Sequence, residues 1–142
     1  MKLFLLAIAF LFLSHGYSQT KADVDARLIE NHGDEIYNIL KYRKDYYNFL
    51  LWELDNAYEI VNLTEVQGQN LLPITNITDK NGIAFNPVEI NNLETFNFIK
   101  YNFVRQKEQK VYYNLGNGKV LVFKALKPMW KEFDQTGLNT KN

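Results

Sequence analysis

Glu53 and Asp55 are the side chains whose type and spacing best suit a reaction, and that reaction is glycoside cleavage. It needs two carboxyl groups about 5–9 Å apart across a sugar ring, one of them able to donate a proton. Asp34 and Glu35 form another adjacent pair of acids. Composition closes most other routes to hydrolysis. The chain has no cysteine, and its serines, Ser14 and Ser18, both fall in an N-terminal stretch that reads as a leader. The remainder therefore cannot assemble a Ser-His-Asp or Cys-His apparatus. It keeps a single histidine, His32, where a zinc hydrolase uses two or three. His32 stands just before Gly33, a helix stop, and reads as a cation at the negative end of a helix dipole. Asp79-Lys80-Asn81-Gly82 has the composition of a calcium loop. With Gly82 at the glycine position, however, the first and last ligand positions fall on Ile77 and Val88, which cannot ligate. The segment reads as a turn, and the sequence calls for no metal and no cofactor.

Met1-Lys2 is a short positive start, and residues 3–13 (LFLLAIAFLFL) are an unbroken apolar run. Gly16 and Ser18 then place small residues at −3 and −1 before Gln19. That is the pattern of a secretory signal peptide. The run is too short to span a bilayer, which takes about 20 residues. Residues 1–18 are expected to be a removed leader and residues 19–142 a single exported domain, with no integral membrane segment after cleavage. An exported chain without cysteine has neither disulfides nor a lipid-modified anchor. The expectation is a soluble bacterial protein of the periplasm or the medium, not a lipoprotein. Charge is balanced, at 16 basic and 16 acidic residues, and no basic block is present. Nucleic-acid binding relies on such a block to neutralise phosphate, so no nucleic-acid partner is expected.

Periodicity supplies the elements that must carry these residues. Residues 23–32 (DVDARLIENH) read as a short helix through Val24, Leu28 and Ile29. Residues 34–44 read as a second, with Asp34 as N-cap and Ile36, Ile39, Leu40 and Arg43 along its core face. Residues 46–54 (YYNFLLWEL) read as a strand, paired in a hairpin with residues 57–64 (AYEIVNLT) across Asp55-Asn56. A helix is the alternative there, because Leu50, Leu51 and Leu54 also suit one helical face. Residues 65–72 read as a loop, and residues 73–85 as a small hairpin or structured loop around the Asp79 turn. Asn86-Pro87-Val88-Glu89 is a helix start, with an N-cap, a proline at the first position and a glutamate able to reach back.

Residues 96–105 (FNFIKYNFVR), 111–115 (VYYNL) and 119–126 (KVLVFKAL) read as three strands of an antiparallel meander. Residues 120–123 are apolar on both faces, which predicts a central strand. Pro128 opens a last helix with Met129, Trp130 and Phe133 as its stripe and Gly137 as its end, before a tail at residues 140–142. The class is α+β: N-terminal helices packed on one face of a mainly antiparallel sheet, with a short C-terminal helix.

Thr64-Glu65-Val66-Gln67-Gly68 loosely resembles the first inhibitory loop of cystatins. Val66 and Gly68 match, Thr64 stands where that family has Gln, and the later Pro-Trp pair is split here by Met129. The resemblance implies a protease inhibitor. Aromatic residues make up 15% of the chain, enough that strand tyrosines such as Tyr112-Tyr113 must leave one ring of each pair outside the core. Tyr47, Trp52, Tyr58 and Tyr112 are the residues this reading places on a contact surface. It favours a non-enzymatic binding or interaction module of the cell envelope, with a protein or a glycan as partner. The alternatives are a carboxylate-dependent glycan enzyme using Glu53 and Asp55, and the cystatin-like inhibitor. Mass spectrometry of the exported protein is expected to find Gln19 at its N-terminus; a chain still starting at Met1 would remove the export reading.

Overall fold

The computed structural model describes residues 24–92 and 95–138; the expected leader and the tail at residues 140–142 lie outside the described residues. Asp25 caps helix α1 (Ala26–His32), its carboxylate accepting the Arg27 backbone N–H at 2.8 Å. Helix α2 (Glu35–Tyr42) follows Gly33 and buries Ile36 and Ile39. Asp34 precedes it but makes no side-chain cap hydrogen bond. Arg43 does not lay its stem on the core as expected. It is exposed, with its guanidinium 4.4 Å from the centre of the Tyr46 ring.

Helix α3 (Lys44–Asn56) overturns the strand expected at residues 46–54. Tyr47, Leu50 and Leu54 recur at i, i+3 and i+7 and are all buried. That is a helical period, and a strand would have thrown Tyr47 and Leu50 to opposite faces. The expected hairpin across Asp55-Asn56 is therefore absent, since both residues belong to or end this helix. Strand β1 (Tyr58–Asn62) finds its partner much later in the chain, antiparallel to β4 (Lys119–Phe123), with Tyr58 opposite Phe123 and Asn62 opposite Lys119.

Strands β3 (Val111–Gly116) and β4 form the hairpin the sequence predicts. Its turn, Asn117-Gly118, has φ of 51° and 72°. Two left-handed residues in a two-residue loop match the right-handed twist of the strands, and Asn-Gly tolerates them best. The surprise is β2 (Leu71–Pro73), parallel to β3 in a segment expected to be loop. Three residues are too few to show a period. The sheet order is β1-β4-β3-β2, mixed but mostly antiparallel. Val120, Leu121, Val122 and Phe123 of β4 are all buried, as the apolar run requires of a central strand. Helices α1, α2 and α3 pack with the sheet face that carries Val111, Tyr113, Leu121 and Phe123.

The third meander strand is not formed. Residues 96–105 contain a 3-10 turn (Phe98–Lys100) and extended chain, and only Tyr101 makes a bridge, to Asp79. Phe96, Asn97 and Phe98 are consecutive and all buried, which an alternating strand cannot arrange. The rings of this segment interlock edge-to-face with the core: Phe96 with Tyr58 at 5.1 Å, and Phe103 with Tyr113 at 5.1 Å. Tyr113 Oη also accepts the Val104 backbone N–H at 2.7 Å.

Asn86 caps a 3-10 helix (Pro87–Asn91) as its sequence predicts, accepting the Val88 N–H at 3.1 Å. Glu89 does not reach back; it accepts the Tyr101 hydroxyl at 2.6 Å. In the Asp79 turn the carboxylate accepts the Ile83 and Asn81 amides at 2.8 Å each, and these bonds hold it below the usual carboxylate range. Helix α4 (Leu126–Gln135) starts two residues before Pro128 and buries Met129 and Phe133, while Trp130 is 43% exposed. The cystatin-like segment is a 3-10 turn (Leu63–Val66), and Pro128 and Trp130 lie on α4, so neither half of that pattern forms a hairpin loop. Among the described residues no helix is long and apolar enough to cross a membrane.

Tyr113→Phe removes the acceptor of the Val104 amide and is expected to cost about 1 kcal/mol, read as a shift of the urea midpoint. No shift would mean that residues 101–105 are held without this bond, by ring packing, the Tyr101–Glu89 hydrogen bond and the Glu53–Arg105 pair.

Candidate functional site

Helix α3 and residues 96–105 enclose an open cleft of about 300 Å³. On α3, Tyr46, Leu50 and Glu53 stand at i, i+4 and i+7 and share the face that looks into it. The opposite wall carries Phe98, Ile99, Tyr101, Phe103 and Arg105, and His32 closes the end from the last turn of α1. A buried asparagine fixes that second wall. Asn97 donates to the Arg27 carbonyl at 3.2 Å and to Glu30 Oε2 at 2.9 Å, and accepts Asn31 Nδ2 at 2.9 Å. The chain after Asn97 is thereby tied to α1, which brings His32 beside it.

At the floor, Glu53 and Arg105 form an ion pair through Oε1 and Nη1, with side chains only 8% and 16% exposed. Arg105 Nη2 reaches Met129 Sδ at 3.1 Å, a weak acceptor. Its guanidinium carbon lies 5.4 Å from the centre of the Phe98 ring. Among the described residues, the buried side-chain atoms without a hydrogen-bond partner are Arg105 Nε and His32 Nε2. Both residues line this cleft, but the two atoms themselves lie beneath its surface. Native proteins rarely leave such atoms unmet, because each costs about 1–3 kcal/mol. On the far wall, burial first and then the Glu89 carboxylate push the Tyr101 hydroxyl well above its ordinary range, so it stays a neutral donor.

The residues singled out from sequence are dispersed. Glu53 lies in the cleft, but Asp55 does not. Two residues along a helix turn about 200°, so the two carboxylates leave opposite sides of α3. Asp55 is 62% exposed on its side chain and pairs with Arg27 at 3.0 Å. Tyr47 is buried in the core at 6% exposure. Trp52 is half-buried in an aromatic cluster with Phe49 and Phe133, where Trp130 stacks on Phe49 at 3.6 Å. Tyr58 packs its edge on Phe96, Phe98 and Phe123 on the helix-covered side of the sheet. Tyr112 is opposite Val122 and so points to the other side. These four rings do not share a surface.

Tyr46, Arg105, Phe98 and Phe103 are cleft residues that sequence reasoning passed over. The available signal was Arg105 itself, a cation closing a run of four aromatic residues in ten positions. A second cleft, about 290 Å³, lies between Ile60, Leu115 and the Pro87–Asn91 turn. Its one cation, Lys119, already donates to Asn62 Oδ1 at 2.8 Å. No group of three or more His, Asp and Glu converges on a metal site among the described residues. No protein family matches this chain, and neither does any curated protein or solved structure compared with it.

Arg105→Met leaves the Glu53 carboxylate buried and unpaired, and is expected to lose about 3–5 kcal/mol of stability in urea denaturation. The double variant Glu53→Met with Arg105→Met is expected to recover most of that loss, since apolar pairs of similar volume commonly replace buried ion pairs without cost. An equal loss in the double variant would show that these positions act through packing, not charge.

Proposed function

We propose that the protein is a small exported binding module, and that its ligand is a small molecule held in the cleft between α3 and residues 96–105. The observation that carries this reading is a single open cleft that brings the rings of Tyr46, Phe98, Tyr101 and Phe103 together with the largely buried Glu53–Arg105 pair. Apolar walls with a few convergent polar groups are the usual composition of a ligand site. The cleft volume falls at the lower end of the range such sites occupy. Envelope location remains part of the proposal and rests on the leader pattern of residues 1–18.

The geometry favours binding over glycan cleavage. A glycosidase needs two carboxyl groups facing one bond, and among the described residues Glu53 is the one carboxylate lining the cleft. Its charge is held by Arg105, and its sequence partner Asp55 is occupied by Arg27 on the other side of the helix.

A thermal-shift screen of small ring compounds on the protein, expressed with its own leader and purified, tests the reading. A true ligand at a hundred times its Kd adds about 2.7 kcal/mol to apparent stability. Ile99→Trp, which fills the cleft from its half-buried wall, is expected to abolish that gain. A screen without a stabilising compound, or a shift that survives Ile99→Trp, would overturn it.

A further inference from the structure

We infer that the ligand class of this cleft is an uncharged ring compound, apolar over most of its surface. The inference rests on the binding reading above and adds the ligand's charge state and size. It begins with the wall residues that can carry charge at neutral pH. Among the described residues these are Glu53, Arg105 and His32. Glu53 and Arg105 close on each other as an ion pair, largely buried on both sides. An ammonium that shared Glu53 would sit beside the Arg105 guanidinium, and a carboxylate that shared Arg105 would sit beside the Glu53 carboxylate. Taking either partner away would leave the other buried and unpaired. The buried Nε2 of His32 meets no acceptor, which an imidazolium, donating from both nitrogens, would leave as an unmet donor. A charged ligand gives up hydration on entering an apolar cleft and needs a free counter-charge in return. These three residues supply none.

The charges behind the two walls oppose each other. On the Tyr101 side stand Glu89, Asp79 and Glu30, and each is already held. Glu89 accepts the Tyr101 hydroxyl, Asp79 accepts its own turn amides, and Glu30 accepts Asn97 and pairs with Lys100 at 3.3 Å. On the other side the Arg43 guanidinium lies 4.4 Å from the centre of the Tyr46 ring. Neither Arg43 nor any of the three acids lines the cleft itself. An ion of either sign is therefore attracted from one wall and repelled from the other. What the cleft does offer is apolar: Leu50, Ile99 and the rings of Tyr46, Phe98 and Phe103. A dry cavity of about 150 Å³ lined by Leu, Ile and Phe takes benzene. A cleft of about 300 Å³ has room for one ring with a short substituent.

Isothermal titration calorimetry at low salt tests the charge assignment with three probes that share one ring: phenylacetamide, phenylacetate and phenethylamine. The protein is expressed with its own leader and purified. The neutral amide is expected to bind at least about tenfold more tightly than either ion, because only the ions lose hydration without a counter-charge. Glu53→Gln removes the counter-charge of Arg105, and is expected to raise the affinity of the acid to that of the amide or above. The unaltered protein's series decides the assignment on its own if that variant does not fold. An acid or an amine that binds the unaltered protein as tightly as the amide overturns the uncharged assignment and leaves the binding reading standing. An acid-to-amide ratio unmoved in folded Glu53→Gln does the same. Binding of none of the three overturns the assignment and the cleft as a ligand site together.

Discussion

The fold depends on one constraint: β4 must be buried on both faces and paired on both edges. Four consecutive apolar residues, Val120 to Phe123, cannot all be shielded at a sheet margin. The β3 hairpin supplies one edge at little entropic cost because its two-residue turn is short. The other edge must come from far away, and β1 supplies it after the three N-terminal helices. That pairing places α3 immediately before β1, over the sheet face of Leu121 and Phe123. The cleft residues of α3, Tyr46, Leu50 and Glu53, take their position from this arrangement.

Residues 96–105 then fill the space between helix and sheet. Their rings change phase, Phe96 and Phe98 falling on even positions and Tyr101 and Phe103 on odd ones, so a regular strand would send the two pairs to opposite faces. A 3-10 turn at Phe98–Lys100 lets Phe96, Phe98, Tyr101 and Phe103 reach the core from a chain that makes almost no ladder. The edge-to-face contacts give this irregular segment a defined geometry in place of backbone pairing. Tyr113 meets the Val104 amide that a sheet would otherwise satisfy, and Asn97 ties the segment to the Arg27 carbonyl of α1. The cleft is the space left between this segment and α3. Its buried pair, Glu53 and Arg105, joins residues 52 positions apart across it.

A buried ion pair of this kind is weak evidence for stability, because desolvation offsets much of its Coulombic gain. An apolar pair would join α3 to residues 96–105 at least as firmly. Glu53 and Arg105 instead place a directional ion pair beneath an aromatic space. Arg105 meets a sulfur with one amine and nothing with Nε, although nearby Asn97 has its hydrogen bonds satisfied on all sides.

By itself the sequence determined what short-range chemistry controls. The α+β class, helices α1 and α2, the Asn86 cap, the Asn117-Gly118 hairpin and the central place of residues 120–123 all follow from signals within a few residues. The Glu53–Asp55 pair was legible only as composition, and helical geometry separated it. Tertiary structure decided the rest. Residues 46–54 carry both a strand-like richness in aromatics and a helical spacing of Tyr47, Leu50 and Leu54, and burial against the sheet selected the helix. β2 exists because β3 offers an edge, not because Leu71–Pro73 prefers a strand. Arg105 becomes a cleft residue only when Glu53 is brought to it. Local sequence sets the propensity of each segment, but long-range burial chooses among propensities of similar strength, and a site built from distant segments is visible only after that choice.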